Sequence, residues 1–368
     1  MRRISEDAAD FLSKISPFVN SDGARNLNEM SRELSIPYQT LRKRMVNLKK
    51  DGISILAIPD FQKLGLERFR VFFTLPTSMT NVKAFFGGLH QSAGLKIYSR
   101  SLYSQIFDCE FAIPSGTFSE LEKLLHKLQE IELIQEYETR QIVWKDVLML
   151  NGRFYDYSKK QWDVDFSTLS GDPSVQIPSA SKPERVDYSD LLMIKELEAD
   201  PWVKVVELAK KVKLEQGDTA YHLNNHVFGK KLIKAFRLKY NGTKEAWLRH
   251  SIVNLTYLFK QMSEEDIRHA MSIFTSSPFT WSHTVTEDGS YFAEVMLPVA
   301  QYPEATQYLS TQLRLLELKP ASIFEEDWSC LSTFTIPYML YNTERAAWEF
   351  NAEHALQYTL QMIQTYST

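Results

Sequence analysis

The chain has 368 residues, 44% hydrophobic and 24% charged, with a formal net charge of -4, a length that implies two or more domains at roughly 100 to 200 residues each. No apolar run approaches the roughly 18 to 20 residues of a bilayer span, and Met1-Arg2-Arg3-Ile4-Ser5-Glu6-Asp7 lacks the apolar core of a secretion signal, so a cytoplasmic protein without a membrane partner is expected. Cys109 and Cys330 are too far apart for a metal-type spacing, which argues against a thiolate metal site and fits a reducing compartment.

In chain order, Ser5 to Phe18 sets Ala9, Leu12 and Ile15 on one side and predicts a helix. Leu27, Met30 and Leu34 follow at helical spacing, Ser35-Ile36-Pro37 breaks the run, and a second helix turns Leu41, Met45 and Leu48 inward. Pro37 suits a first helical turn and Gly52 the left-handed residue after the last one. Ile53 to Phe61 predicts the strand and wing that close a winged helix-turn-helix. Strands are then expected at Phe69 to Leu75, Leu95 to Leu102 and Gln105 to Ile113, helices at Val82 to Leu89 and Phe118 to Ile131, and an extended stretch from Ile134 to Leu150. Ser167 to Arg185 carries Ser, Pro and Gly without apolar periodicity, as a linker or surface strap does.

About 180 residues further on the pattern returns. Val203, Val206, Leu208 and Val212 stand for the first helix of the pair and Gly217-Asp218-Thr219 for the turn. Ala220, Leu223 and Val227 line the second helix, and Lys231 takes the place of Gly52. The following segments are Ile252 to Phe259, Glu264 to Phe274, Phe279 to Thr286, Tyr291 to Leu297, Thr306 to Leu316 and Ser329 to Leu340. Both halves thus read βαββαβ, the order of a ferredoxin-like antiparallel sheet. Pro114 and Pro298 each end a third strand, and Trp162-Asp163-Val164-Asp165-Phe166 and Trp348-Glu349-Phe350 echo each other.

The fold class is therefore α+β, a tandem duplication of winged helix-turn-helix plus ferredoxin-like domain. The expected boundaries are residues 1–62 and 63–150 for the first pair of domains, 151–186 for the linker, 187–245 and 246–342 for the second pair, and 343–368 for a C-terminal helix. The charge follows the repeat: residues 25–50 net +5, residues 203–240 net +6, and the rest of the chain -15.

The segment from Thr40 to Ile53, TLRKRMVNLKKDGI, resembles the recognition helix of the Lrp/AsnC group of prokaryotic regulators. That pattern sets a capping Ser or Thr before apolar residues one, five and eight positions on, then Gly and an apolar residue; Leu41, Met45, Leu48, Gly52 and Ile53 match it. Lys63-Leu64-Gly65 resembles the connector by which that family passes to a ferredoxin-like domain. The resemblance implies transcription regulation through double-stranded DNA, and the two-copy length points to archaeal relatives. A ligand-loop glycine signature is missing, though a small-molecule effector and a further homodimer are compatible with the family.

On the resemblance, the first recognition helix is expected to present Tyr38, Gln39, Arg42, Lys43 and Arg44 to the groove, with Thr40 as a cap or phosphate contact and Arg32, Lys49 and Lys50 on the DNA backbone. In the second copy the matching face holds Gln216, Thr219, Tyr221, His222 and Asn225, with Lys230 and Lys231 toward the wing. One chain would then act as a pseudo-dimer on two unlike half-sites.

Two rival functions use the same architecture. Some relatives of this double-domain fold are sirohaem decarboxylases, in which catalysis depends on His and Arg gathered around a tetrapyrrole; another reading is a ligand-sensing or protein-interaction module. The eight histidines are scattered, and His222 and His226, four apart on a helix, find no third ligand in the sequence. The expectation is a non-enzymatic DNA binder with no cofactor and no metal.

Overall fold

A four-stranded βαββαβ sheet leaves the backbone groups of two edge strands unpaired, and a chain that carries two such sheets can pair edge with edge. The computed structural model, which describes residues 11, 14–15, 27–50, 53–148, 154–156, 161–171, 177–240 and 252–366, does this. The first half contains α1 (Leu27–Glu33), α2 (Tyr38–Lys50), β1 (Ile53–Pro59), β2 (Leu66–Thr74), α3 (Val82–Ala93), β3 (Leu95–Ser101), β4 (Ile106–Pro114), α4 (Phe118–Glu130) and β5 (Tyr137–Val147). The second contains α5 (Tyr188–Ala199), α6 (Val205–Val212), α7 (Gln216–Tyr221, running on as a π-helix over His222–Phe228), β6 (Ile233–Tyr240), β7 (Ile252–Phe259), α8 (Glu264–Ser276), β8 (Thr280–Thr286), β9 (Tyr291–Pro298), α9 (Tyr302–Leu315), β10 (Ser322–Thr333) and α10 (Ala352–Thr365).

The two sheets do not stand apart as separate ferredoxin-like domains. They close into one barrel in the order β8-β9-β7-β10-β3-β4-β2-β5. Edge strand β5 pairs with β8, Lys145 opposite Thr284, and edge strand β3 pairs with β10, Arg100 opposite Asp327. A bulge between Asp327 and Ser332 interrupts the second seam. Closure removes every edge and creates an interior that two open sheets would not have.

Strand alternation sorts the two faces. On β2, Phe69, Val71 and Phe73 point outward into a core shared with α3, α4 and α10, whereas Arg68 and Arg70 face the interior. Phe72 meets Phe292 and Phe324 at ring-centroid distances of 5.9 and 6.3 Å. Helices α8 and α9 cover the second half in the same way, Phe274 of α8 packing on Tyr257 and Tyr291. Helix α10 returns to α3, where a Cβ on Gly88 would lie 2.8 Å from the Cα of Thr359; only glycine lets the two backbones come so close.

Leu41, Met45 and Leu48 are buried in the winged-helix core, together with Leu208, Val212, Leu223 and Val227 of the second copy. The expected wings differ from hairpins: β1 and β6, which follow the two recognition helices, pair antiparallel with each other, Ile55 opposite Leu238. Gly217, Asp218 and Thr219 are not a turn but the first turns of α7, which starts at Gln216 after an extended Glu215. Lys231 adopts a left-handed φ of +54°, so a lysine fills the conformation expected of glycine. The strand expected over Ser329 to Leu340 starts earlier, at Ser322, because its partner residues on β7 lie there. Helix α9 likewise starts at Tyr302, with Pro303 in its first turn, and the C-terminal helix starts at Ala352, behind a short pairing of Tyr341 with Trp348. Residues 177–187 form a strap tied to the connector: Glu184 N–H donates to the Lys63 carbonyl at 2.8 Å and Ser181 N–H to Gln62 Oε1 at 2.7 Å. The expected helix from Ser5 to Phe18 is described only at Phe11, Lys14 and Ile15, and Gly52 lies outside the described residues.

Candidate active site

Charged residues at alternate positions of apolar strands must face the same way, and in β2, β4, β5 and β9 they face into the barrel. Arg68, Arg70, Asp108, Glu110, Lys145, Glu294 and Glu326 line a cavity of about 330 Å³, joined by Lys96 from β3 and Glu198 from α5. Its volume sits at the lower end of the range for small-molecule sites. Leu56 to Pro59 of β1 and Phe61 border it on the winged-helix side, so both halves and both winged units contribute walls.

The buried charges are held in pairs, as low dielectric requires. Arg70 Nε donates to Asp108 Oδ1 at 3.0 Å and to Oδ2 at 3.1 Å, and Nη2 also bonds Oδ2. Burial opposes the charge on Arg70, but Asp108 and Glu294 more than reverse that and keep the guanidinium protonated. Burial likewise opposes ionisation of Glu110, yet Lys145, whose Nζ donates at 2.7 Å, and Arg68 bring its pKa down to about 2. Glu110 and Glu294 occupy equivalent third-strand positions, opposite Arg70 and Thr256 respectively. Lys96 Nζ reaches Glu198 Oε1 at 2.5 Å and ties the barrel rim to the second winged unit.

Two groups stand out from this network. Arg70 Nη1 is buried, lies 3.1 Å from Glu294 Oε1 and makes no hydrogen bond. Glu326 is buried and accepts from Asn254 Nδ2 at 3.1 Å and Thr256 Oγ1 at 2.5 Å. Burial first, then the neighbouring carboxylates Glu294 and Asp108, push its pKa up to about 7. The cavity therefore combines a permanent cation with an open donor and an acid poised to exchange a proton near neutrality.

No protein-family model matches the sequence, and no curated protein matches it. Solved structures do. The crystal structure of the siroheme decarboxylase NirDL matches with a TM-score of 0.55 at 13% identity, covering 97% of this chain and 99% of that one. NirDL in complex with an iron-uroporphyrin III analogue matches with a TM-score of 0.55 at 15% identity, over 91% and 96%. E. coli AsnC matches 38% of this chain and 93% of its own at 16% identity, with a TM-score of 0.25. The chain shares its duplicated α+β fold with NirDL over 97% of its length.

That full-length match overturns the expectation of a non-enzymatic protein, because the structures that share the whole architecture are those of an enzyme. Scattered histidines point to no catalytic site in the sequence. No histidine lines the cavity among the described residues. His283 is buried beside Tyr291 and Thr275, in contact with the helix side of the wall, and His90 stacks on Phe334. The overlooked signal was the spacing Arg68-Arg70 and Asp108-Glu110 within strands, which marks ionised side chains turned to a covered face.

The residues expected to touch DNA divide unevenly. Arg32, Tyr38, Gln39, Thr40, Lys43 and Arg44 are exposed and Arg42 half-exposed, while the side chains of Lys49 and Lys50 lie outside the described residues. The Arg44 guanidinium sits 5.5 Å over the Phe11 ring. Thr40 is not a cap, since the Leu41 N–H bonds the Pro37 carbonyl and the helix already runs from Tyr38. In the second unit Thr219 is fully buried, its hydroxyl bonded to the Glu215 carbonyl, and cannot reach a groove. His222 turns inward to Asp190 at 3.0 Å, and Lys230 Nζ bonds the Arg185 carbonyl. Gln216, Tyr221, Asn225 and Lys231 remain exposed.

Proposed function

We propose that the chain is a decarboxylase that binds a polycarboxylate substrate inside the barrel. The observation that carries the reading is Arg70 in the cavity wall, a buried guanidinium whose Nη1 is ion-paired with Glu294 at 3.1 Å but makes no hydrogen bond within the protein, so that a substrate carboxylate could accept one there. A substrate carboxylate there would be held beside Glu326. As the bond to CO₂ breaks, its electron pair stays on the substrate carbon, drawn into the substrate's own conjugated system. The Glu326 proton then goes to that carbon, CO₂ leaves, and Glu326 is reprotonated from solvent. The likeness to NirDL supports the choice of reaction class, and the arginines are the part of the expected His and Arg set that the cavity supplies. Offering sirohaem to the full chain and measuring CO₂ and product mass tests this. Release of CO₂ that falls steeply in Arg70→Lys supports the reading; no CO₂ and no binding contradicts it.

A second activity rests on the first winged unit. The exposed row of Tyr38, Gln39, Lys43 and Arg44, opposite buried Leu41, Met45 and Leu48, supports contact of that helix with duplex DNA. Binding should weaken with salt with a slope near -0.9 per phosphate neutralised, roughly. Arg42 and Arg44 changed to Ala should lower it, and an unchanged affinity would dispose of this activity.

A further inference from the structure

His222 and His226 find in three dimensions the partners they lack in sequence. Asp187 caps helix α5 and Asp190 closes a reciprocal capping box with it. That places both carboxylates at the start of α5, against the recognition helix of the second winged unit. Asp190 is fully buried, and both imidazoles turn to it: His222 Nδ1 lies 3.0 Å from Oδ1, and His226 Nδ1 lies 3.1 Å from Oδ1 and 3.2 Å from Oδ2. Asp187 Oδ2 is 3.5 Å from His222 Nδ1. One ligand atom from each of the four residues lies within 4.8 Å of every other.

Local backbone geometry explains the convergence. The helix changes to π winding at His222, with the Gly229 N–H bonding the Asn224 carbonyl five residues back. Residues four apart share a face of the helix, and the two rings come to 4.7 Å between centroids. π-Helical segments cost hydrogen-bond quality and are found frequently where side chains must be aimed.

We infer that Asp187, Asp190, His222 and His226 form a binding site for a divalent transition-metal ion of the zinc class. Two imidazole nitrogens and two carboxylate oxygens are a donor set for Zn²⁺ or Co²⁺, which take such ligands at about 2.0 to 2.2 Å in a tetrahedron. The donor atoms of such a tetrahedron stand about 3.3 to 3.6 Å apart, and the four here lie within 4.8 Å of one another. The ion would fasten the start of α5 to α7 and its π-helical continuation, and so fix the second recognition helix to the body of its unit. This assignment is independent of the reaction in the barrel, which lies outside this cluster.

Titration of the metal-free full chain with Co²⁺, followed by its visible absorption, tests the site. One Co²⁺ per chain with the intense bands of tetrahedral coordination, displaced by Zn²⁺, is expected. His226→Gln and the half-exposed Asp187→Asn should each weaken binding roughly tenfold or more. The metal should raise the unfolding temperature of the wild type and not of His226→Gln. Absence of tetrahedral bands in the folded wild type overturns the inference whatever the variants do, as does equal affinity in the wild type and in both variants.

Discussion

Arg70 and Asp108 meet diagonally across neighbouring strands of the closed barrel, two oxygens of one side chain gripped by the nitrogens of the other. Both side chains are almost wholly withdrawn from solvent. Such a pair contributes little net stability against an apolar replacement of both members, but removing one partner leaves a buried charge behind. Asp108→Asn is therefore expected to cost about 3 kcal/mol in urea unfolding, Glu294 retaining part of the compensation. A loss below about 0.5 kcal/mol, the level of a neutral surface change, would mean that the interior is wetter than the geometry implies.

Glu326 gives the protein a pH dependence of definite sign. Its pKa rises from an ordinary 4.5 to about 7 on folding, so the unfolded chain gives up this proton first. The associated stability is complete below pH 4.5, drains as the pH rises and is gone once the pH passes about 7. Glu326→Gln, neutral at every pH, should remove a contribution on the order of 3 kcal/mol to the difference in stability between pH 5 and pH 8. Superimposable pH–stability curves for wild type and variant would refute the assignment. The same variant should abolish CO₂ release if the carboxylic proton is the one transferred.

Gly88 and Thr359 fix the seat of the C-terminal helix. A methyl group at Gly88 would press on the Thr359 backbone at 2.8 Å, and neither helix can yield without opening the core around Phe85, Leu356 and Ala355. Gly88→Ala should lower stability by about 1 to 3 kcal/mol despite its better helix propensity. Thermal unfolding reads this directly, and a stabilised variant would show that α10 is not packed as described.

The local features of this fold were legible and the long-range ones were not. The three-four spacing of Leu41, Met45 and Leu48 gives a buried helix face, and alternation gives nearly every barrel strand. Barrel closure depends on pairs such as Lys145 with Thr284, far apart in the chain, and no local pattern states which sheet edges meet. Lys231 shows another limit: it takes the left-handed φ that propensity would give to glycine. The cavity could have been suspected from charged residues two apart in apolar strands, but the inward direction of Arg70 becomes definite only with the helices in place. The link between His222 and Asp190 spans 32 residues inside the second winged unit, and no local pattern states that contact, so the sequence offers His222 only a DNA-facing surface.

The barrel interior as a site for a polycarboxylate is tested most directly by titrating iron-uroporphyrin III into the full chain and into Arg70→Lys, following the absorption of the tetrapyrrole. The lysine keeps the charge that Asp108 and Glu294 require but lacks the planar fork that would present Nη1 to a substrate carboxylate. Saturation at one tetrapyrrole per chain in the wild type, weakened about tenfold by loss of one charge-assisted hydrogen bond in the variant, is the predicted result. No saturable change in the wild type, or the same affinity in both proteins, would contradict it.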